Sequence, residues 1–237
     1  MKGADVDEAG LRIVARPSPN HGPRPEGARA ELLVLHYTGM ATAAAALDRL
    51  CDPESQVSAH YTVDEDGTVH AHVPEHRRAW HAGVSRWRGR DDVNSRSVGI
   101  EVVNPGHAFG YRPFPAAQMA AVAALCRSVM GRHGIAPADV VGHSDIAPAR
   151  KEDPGELFDW PWLAARGVGL WPVPGAADEG PATPAEVAAL LERYGYDSAA
   201  PGALLAFQRH FRPDGMTGVA DSQTLRRLRA LVRMTAR

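Results

Sequence analysis

Val140-Val141-Gly142-His143-Ser144-Asp145-Ile146-Ala147-Pro148-Ala149-Arg150-Lys151-Glu152-Asp153-Pro154-Gly155 is the stretch whose reading decides the fold. Two valines lead into His143, so this histidine stands where a buried strand ends. A strand end holds a side chain still while the loop after it opens to solvent. Ten residues on, Asp153 supplies a carboxylate, with Lys151 two residues before it. Asp153-Pro154-Gly155 then turns the chain, because Pro and Gly supply backbone geometry that other residues resist. An earlier run, Leu32-Leu33-Val34-Leu35-His36-Tyr37-Thr38, repeats the pattern: continuous apolar residues that end in a histidine. It too reads as a buried strand delivering a side chain at its end. Two histidines and a carboxylate then form a three-ligand set. Zinc in hydrolytic sites takes three N/O ligands and leaves a fourth position for water.

Working outward, Ala41 to Leu50 has helix propensity and Asp52-Pro53 ends it. Ser58 to Val63 and Thr68 to Val73 read as a hairpin joined by Asp64-Glu65-Asp66-Gly67. Trp80 to Arg90 reads as a loop across one face, and Ser97 to Val103 as an apolar strand interrupted by Glu101. Pro115 to His133 is the clearest helix. Val122, Leu125, Cys126, Val129 and Met130 form one apolar stripe, and Gly134 stops it. Strands alternating with helices predict an α/β domain with a central mixed β-sheet flanked by helices. The domain spans residues 31–166, after an extended N-terminal arm at 1–30 that holds Pro17, Pro19, Pro23 and Pro25. Residues 167–182, rich in Gly and Pro, read as a linker. Residues 183–237 read as a small all-α three-helix domain. Thr183-Pro184-Ala185-Glu186 caps its first helix, Phe207 and Phe211 mark the second, and Leu225, Leu228 and Leu231 the third.

Composition is ordinary for a globular protein, with 44% apolar and 23% charged residues. A net charge of −2 argues against a nucleic-acid binder. No apolar run approaches membrane-spanning length, so no membrane partner is expected. Met1 to Gly10 carries Asp5, Asp7 and Glu8 and has no apolar core of a secretory signal, which predicts a cytoplasmic protein, or a periplasmic one if a leader precedes it. Cys51 and Cys126 are too few for a disulfide scaffold and read as free thiols. No protein partner can be inferred.

Six segments in order resemble the zinc-dependent N-acetylmuramoyl-L-alanine amidases of bacterial cell-wall recycling, relatives of phage amidases and peptidoglycan recognition proteins. They are Leu35-His36-Tyr37-Thr38, Val57-Ser58-Ala59-His60-Tyr61, Asp66-Gly67-Thr68-Val69, Ala79-Trp80-His81-Ala82-Gly83-Val84-Ser85, Ser97-Val98-Gly99-Ile100-Glu101 and the run from His143 to Gly155. The C-terminal segment, with Tyr194-Gly195-Tyr196 and Ala206-Phe207-Gln208-Arg209-His210-Phe211, resembles a small peptidoglycan-binding module. The resemblance implies one zinc ion per chain on His36, His143 and Asp153, with aspartate where phage and animal relatives carry cysteine. It implies Glu101 as general base and then acid, and Lys151 as the oxyanion partner. It places Trp80, His81 and Asn94 at the substrate groove. The substrate it implies is the amide between muramic acid, in its 1,6-anhydro form, and L-alanine of peptidoglycan fragments or polymer. Two other classes compete. A non-catalytic recognition protein on the same fold would have lost a ligand, whereas all five residues are present. A zinc peptidase would carry His-Glu-x-x-His, which is absent.

Overall fold

The computed structural model describes residues 10–236 and the backbone of Asp5–Val6. Among the described residues eleven strands run in chain order: β1 (Asp5–Val6), β2 (Arg12–Ala15), β3 (His21–Pro23), β4 (Leu32–Tyr37), β5 (Tyr61–Val63), β6 (Val69–Ala71), β7 (Arg77–Ala79), β8 (Arg86–Trp87), β9 (Arg90–Asp91), β10 (Ser97–Val102) and β11 (Val140–Gly142). The helices are α1 (Ala43–Cys51), α2 (Gly106–Phe109), α3 (Ala116–His133), α4 (His143–Ile146), α5 (Trp160–Ala164), α6 (Pro184–Tyr194), α7 (Ala203–Phe211) and α8 (Ser222–Thr235). Seven strands form the main sheet in the order β1-β2-β6-β5-β10-β4-β11. Its centre is parallel: β5, β10, β4 and β11 all run the same way. The hairpin of β5 and β6 and the edge pair of β1 and β2 are antiparallel, so the sheet is mixed.

The apolar run of β4 lies at the centre of the sheet, with both faces covered. Alternate side chains leave on opposite faces. Leu33 and Leu35 join Val98, Ile100 and Val102 of β10 against the stripe of α3 and against Phe158, Trp160 and Leu163. Leu32 and Val34 join Val141 of β11 on the other face. The covering there is unexpected. Trp87, Tyr194, Tyr196, Phe207 and Phe211 pack on this face in one cluster with the sheet.

Three local expectations therefore change. The N-terminal segment is more than an extended arm, since β2 pairs with β6 inside the main sheet and β3 pairs with β7. The apolar run Ile13-Val14-Ala15 supplies that strand. The loop from Trp80 to Arg90 contains β8, which pairs with β9, and its Trp87 is fully buried between Tyr194 and Tyr196. Gly195 permits the approach, because a Cβ there would lie 2.6 Å from the Trp87 ring. Residues 167–182 are anchored: Trp171 packs against both cores, and buried Asp178 accepts from Arg233 of α8 at 2.7 Å. The three C-terminal helices form a layer on the sheet. Among the described residues, no helix is long and apolar enough to cross a membrane.

Candidate active site

The parallel centre of the sheet brings three strand ends to one place. Glu101 of β10 is in register with His36 of β4, and Gly142 of β11 pairs with Leu35, so His143 follows beside His36. Ligands gather outside the carboxyl ends of parallel strands because the loops diverge there. The loop after α4 returns Asp153 to the same point. His36 Nδ1, His143 Nδ1 and Asp153 Oδ2 form a triangle with edges of 2.9, 3.0 and 3.0 Å. All three side chains are buried. Tyr111 holds the far end of this loop: its hydroxyl donates to Pro154 O (2.8 Å) and accepts from Leu157 N–H (2.9 Å). Gly155, at φ +86°, leaves room for that hydroxyl.

Which atoms carry protons follows from the partners. Ser97 Oγ donates to Val93 O at 2.7 Å, so its lone pairs face His81. His81 Nε2–H then donates to Ser97 Oγ (3.1 Å), which leaves His81 Nδ1 bare to accept from His36 Nε2–H (3.0 Å). His36 Nδ1 is therefore bare. His143 Nε2 lies 3.1 Å from the carbonyl of Ala82, which can only accept, and the Arg150 Nη2 beside it, at 3.4 Å, gives its proton to that same carbonyl, so His143 Nδ1 is bare as well. Three lone pairs converge with no proton among them. Protonating His36 is disfavoured, since burial and the neighbouring His143 push its pKa down to about 4. A set of two bare imidazole nitrogens and one carboxylate oxygen fits a divalent cation, and N/O ligands around a tetrahedral zinc lie about 3.3 Å apart. Within the described residues this is the one group of three or more such side chains close enough to share an ion.

Glu101 and Lys151 border the same cavity, about 640 Å³ in volume. Glu101 Oε2 is buried without a hydrogen-bond partner. Removal from water pushes its carboxyl well above the ordinary range, the Asp153 charge adds to this, and Lys151 opposes it. Lys151 also bears on His36, which places its charge near both groups. Trp80 lines the cavity.

His81 and Asn94 are both engaged within the protein around the cluster. His81 shows an edge to the cavity, but both ring nitrogens are engaged, with His36 and Ser97. It lies on Gly99, where a Cβ would stand 2.4 Å from the ring. Asn94 is buried, and its Oδ1 accepts from the backbone N–H groups of His81 (3.0 Å) and Ala82 (2.8 Å). It thereby fixes both the ring behind His36 and the carbonyl that meets His143. Such outer partners set tautomer and orientation in metal sites.

Asp145, Tyr196 and His210 form a second buried cluster beside this site. Asp145 of α4 is buried and accepts from Gly142 N–H (2.7 Å), Tyr196 hydroxyl (2.6 Å) and His210 Nδ1–H (2.7 Å). His210 stacks between Trp160 and Phe211, at 3.7 and 3.8 Å. The C-terminal layer is thus tied to the residue that precedes His143. The same layer contributes Leu205 and Arg209 to the cavity wall.

Comparison with known proteins agrees with this geometry. The sequence profile of the N-acetylmuramoyl-L-alanine amidases matches residues 26–156. The N-acetylmuramoyl-L-alanine amidase AmiD of Escherichia coli is 40% identical over 83% of this chain and 80% of its own. A structure of that amidase with the substrate anhydro-N-acetylmuramic acid-L-Ala-D-gamma-Glu-L-Lys superposes with a TM-score of 0.78 at 38% identity, covering 89% of this chain and 92% of the other. The 1,6-anhydro-N-acetylmuramyl-L-alanine amidase AmpD of Enterobacter cloacae is 36% identical over 65% of this chain and 90% of its own. A Pseudomonas aeruginosa protein in complex with an anhydromuramic pentapeptide has a TM-score of 0.80 at 33% identity, covering 90% of this chain and 95% of the other.

Proposed function

The chain belongs to the N-acetylmuramoyl-L-alanine amidase family, and on that premise we propose that it hydrolyses the amide between 1,6-anhydro-N-acetylmuramic acid and L-alanine of stem peptides, as a zinc enzyme of cell-wall recycling. The observation that carries the metal part is the triangle of bare donors on His36, His143 and Asp153. Zinc held by these three residues supplies Lewis acidity that makes water acidic enough to attack an amide at neutral pH. Glu101 takes the proton from the attacking water and delivers it to the departing nitrogen. A carboxyl kept out of water and lacking a fixed partner suits a group that must hold the proton between those two moments. The Lys151 ammonium faces the oxygen on which negative charge develops. Trp80 offers an apolar wall to the sugar or the first stem residue. His81, Ser97 and Asn94 keep His36 and His143 in the tautomers that expose Nδ1.

Mass spectrometry of products tests this reading. Soluble 1,6-anhydro-muropeptide and intact sacculi are each supplied with and without a chelator. Release of stem peptide from the soluble substrate, abolished by chelation and restored by zinc, is the expected result. Release from sacculi as well would extend the substrate to polymer. With zinc bound and no release from either, the chain would be a recognition protein on an amidase fold.

A further inference from the structure

Arg209 lies on α7, in the C-terminal layer, and lines the catalytic cavity together with Lys151, Glu101 and Asp153. Its side chain is 8% exposed. A guanidinium carries five N–H donors and stays charged. Buried without acceptors, such a group is costly. Arg96, the other buried arginine among the described residues, gives its Nη groups to Glu31 and to the Trp87 carbonyl. Arg209 has no equivalent. Its Nε, like that of Arg96, is buried without a hydrogen-bond partner, and the nearest carboxylate, Glu156, stays 3.8 Å from it. Glu156 is turned to His107 Nε2, at 3.2 Å from both of its oxygens. The cavity wall therefore holds an under-satisfied cation, and planar guanidinium recognises carboxylate in a forked geometry.

The substrate class supplies such an anion. A glutamate joined through its side chain keeps its α-carboxylate free, and this charge lies one residue beyond the L-alanine of the cleaved bond. We infer that Arg209 binds the free α-carboxylate of the γ-linked glutamate in the stem peptide, so that the C-terminal layer selects substrate for the amidase site. This rests on the proposed amidase reading and adds a specificity residue to it. The layer then acts as part of the cleft, whatever else it binds.

Calorimetry of the zinc-loaded full chain with L-Ala-γ-D-Glu-L-Lys tests it without requiring turnover. Two twins accompany this peptide, one amidated at the glutamate α-carboxylate and one at the C-terminal carboxylate. The free acid should bind about 10- to 100-fold more tightly than the glutamate amide. Arg209→Met should bring that ratio close to one, and Arg209→Lys should restore part of it. Glu156→Gln, which leaves Arg209 in place and removes a competing anion, should widen the ratio. The inference is overturned by equal binding of acid and amide to the unaltered chain, by no binding of either, by a preference that survives Arg209→Met, or by a preference that follows the C-terminal carboxylate. Cleavage of the anhydromuramyl peptide is measured alongside. Carboxylate-selective binding without cleavage would sink the amidase reading and leave Arg209 as a ligand residue. Cleavage without selectivity would do the reverse.

Discussion

Asp145 of α4 and Asp153 of the loop that follows are both buried, and both meet an imidazole, yet they face opposite proton inventories. Asp145 meets three donors: a tyrosine hydroxyl, an imidazole N–H and a backbone N–H. Its negative charge is neutralised by hydrogen bonds alone, and the cluster is complete. Asp153 meets two imidazole nitrogens whose protons are already committed elsewhere, to His81 and to the Ala82 carbonyl. That cluster presents three lone pairs that a cation can take. A carboxylate beside histidine is thus not in itself a metal site. The far side of each ring decides: the acceptors at Nε2 of His36 and His143 leave Nδ1 as a lone pair, whereas Nε2 of His210 has no partner and its Nδ1 carries the proton to Asp145.

The largest expected contrast comes from breaking each cluster at its carboxylate. Asp153→Ala should cut zinc affinity by more than about a hundredfold, beyond the effect of losing an outer partner, and abolish turnover. Metal analysis after dialysis and turnover of the anhydro-muropeptide measure both. Asp145→Asn should keep one zinc per chain but lose about 2–4 kcal/mol of stability, because an amide puts N–H groups where donors already point. Denaturant titration of the apo protein reads that loss. If Asp145→Asn stripped the metal with unchanged stability, or Asp153→Ala destabilised the apo chain with metal retained, the division between the two clusters would be wrong.

Much of the Asp153 cluster was legible in the sequence, and little of the Asp145 cluster was. His36 and His143 each end an apolar run, and such a run has one structural meaning: a strand buried on both faces whose end is fixed. Asp153 precedes a Pro-Gly turn and lies within reach of the same strand end. Glu101 was visible as a charge in an apolar strand. Asp145, by contrast, looks like any polar residue of a helical turn. Its partners Tyr196 and His210 come from a segment that reads as a separate module, because Gly and Pro between residues 167 and 182 suggest a free linker. Periodicity shows that α6, α7 and α8 each have an apolar face. It does not show that this face is shared with Leu32 and Val34 of the sheet. Trp87 carried the hint, a large aromatic in a segment otherwise polar and Gly-rich. The same blindness hid Arg209, whose position in the cavity exists only once the layer is docked.

Gly99→Ala sharpens the contrast from behind the metal cluster. Nothing in a strand of this kind demands glycine except the His81 ring, which occupies the space of a Cβ at 2.4 Å. The ring must move, and with it the acceptor that holds the His36 proton on Nε2. Zinc affinity should fall by about 10- to 100-fold, while the Asp145 cluster, carried by α4 and the C-terminal layer, is untouched. Competition with a chromophoric chelator measures the affinity. Unchanged affinity would mean that His36 keeps its tautomer without His81.

The smallest effect comes from a third carboxylate beside an imidazole. Glu75 accepts from Arg132 Nη2 (2.6 Å), His133 Nε2 (2.7 Å) and the Tyr61 hydroxyl (2.8 Å). Burial alone would raise its pKa, but these donors hold it at about 2. By the proton count it belongs with Asp145, so it should stabilise the fold and bind no metal. Its folded value lies below the unfolded value of about 4.3. The stabilisation is therefore complete above about pH 4.3 and is lost as the pH falls toward 2, since the unfolded chain takes up the proton first. Glu75→Gln should cost about 1–2 kcal/mol at neutral pH and flatten the stability curve between those limits, with zinc content unchanged. A variant whose acid limb matched that of the parent would show that the donors around Glu75 are indifferent to its charge. The proton count would then separate a cation-binding cluster from a structural one only where no solvent reaches, the condition met by the buried carboxylates Asp145 and Asp153.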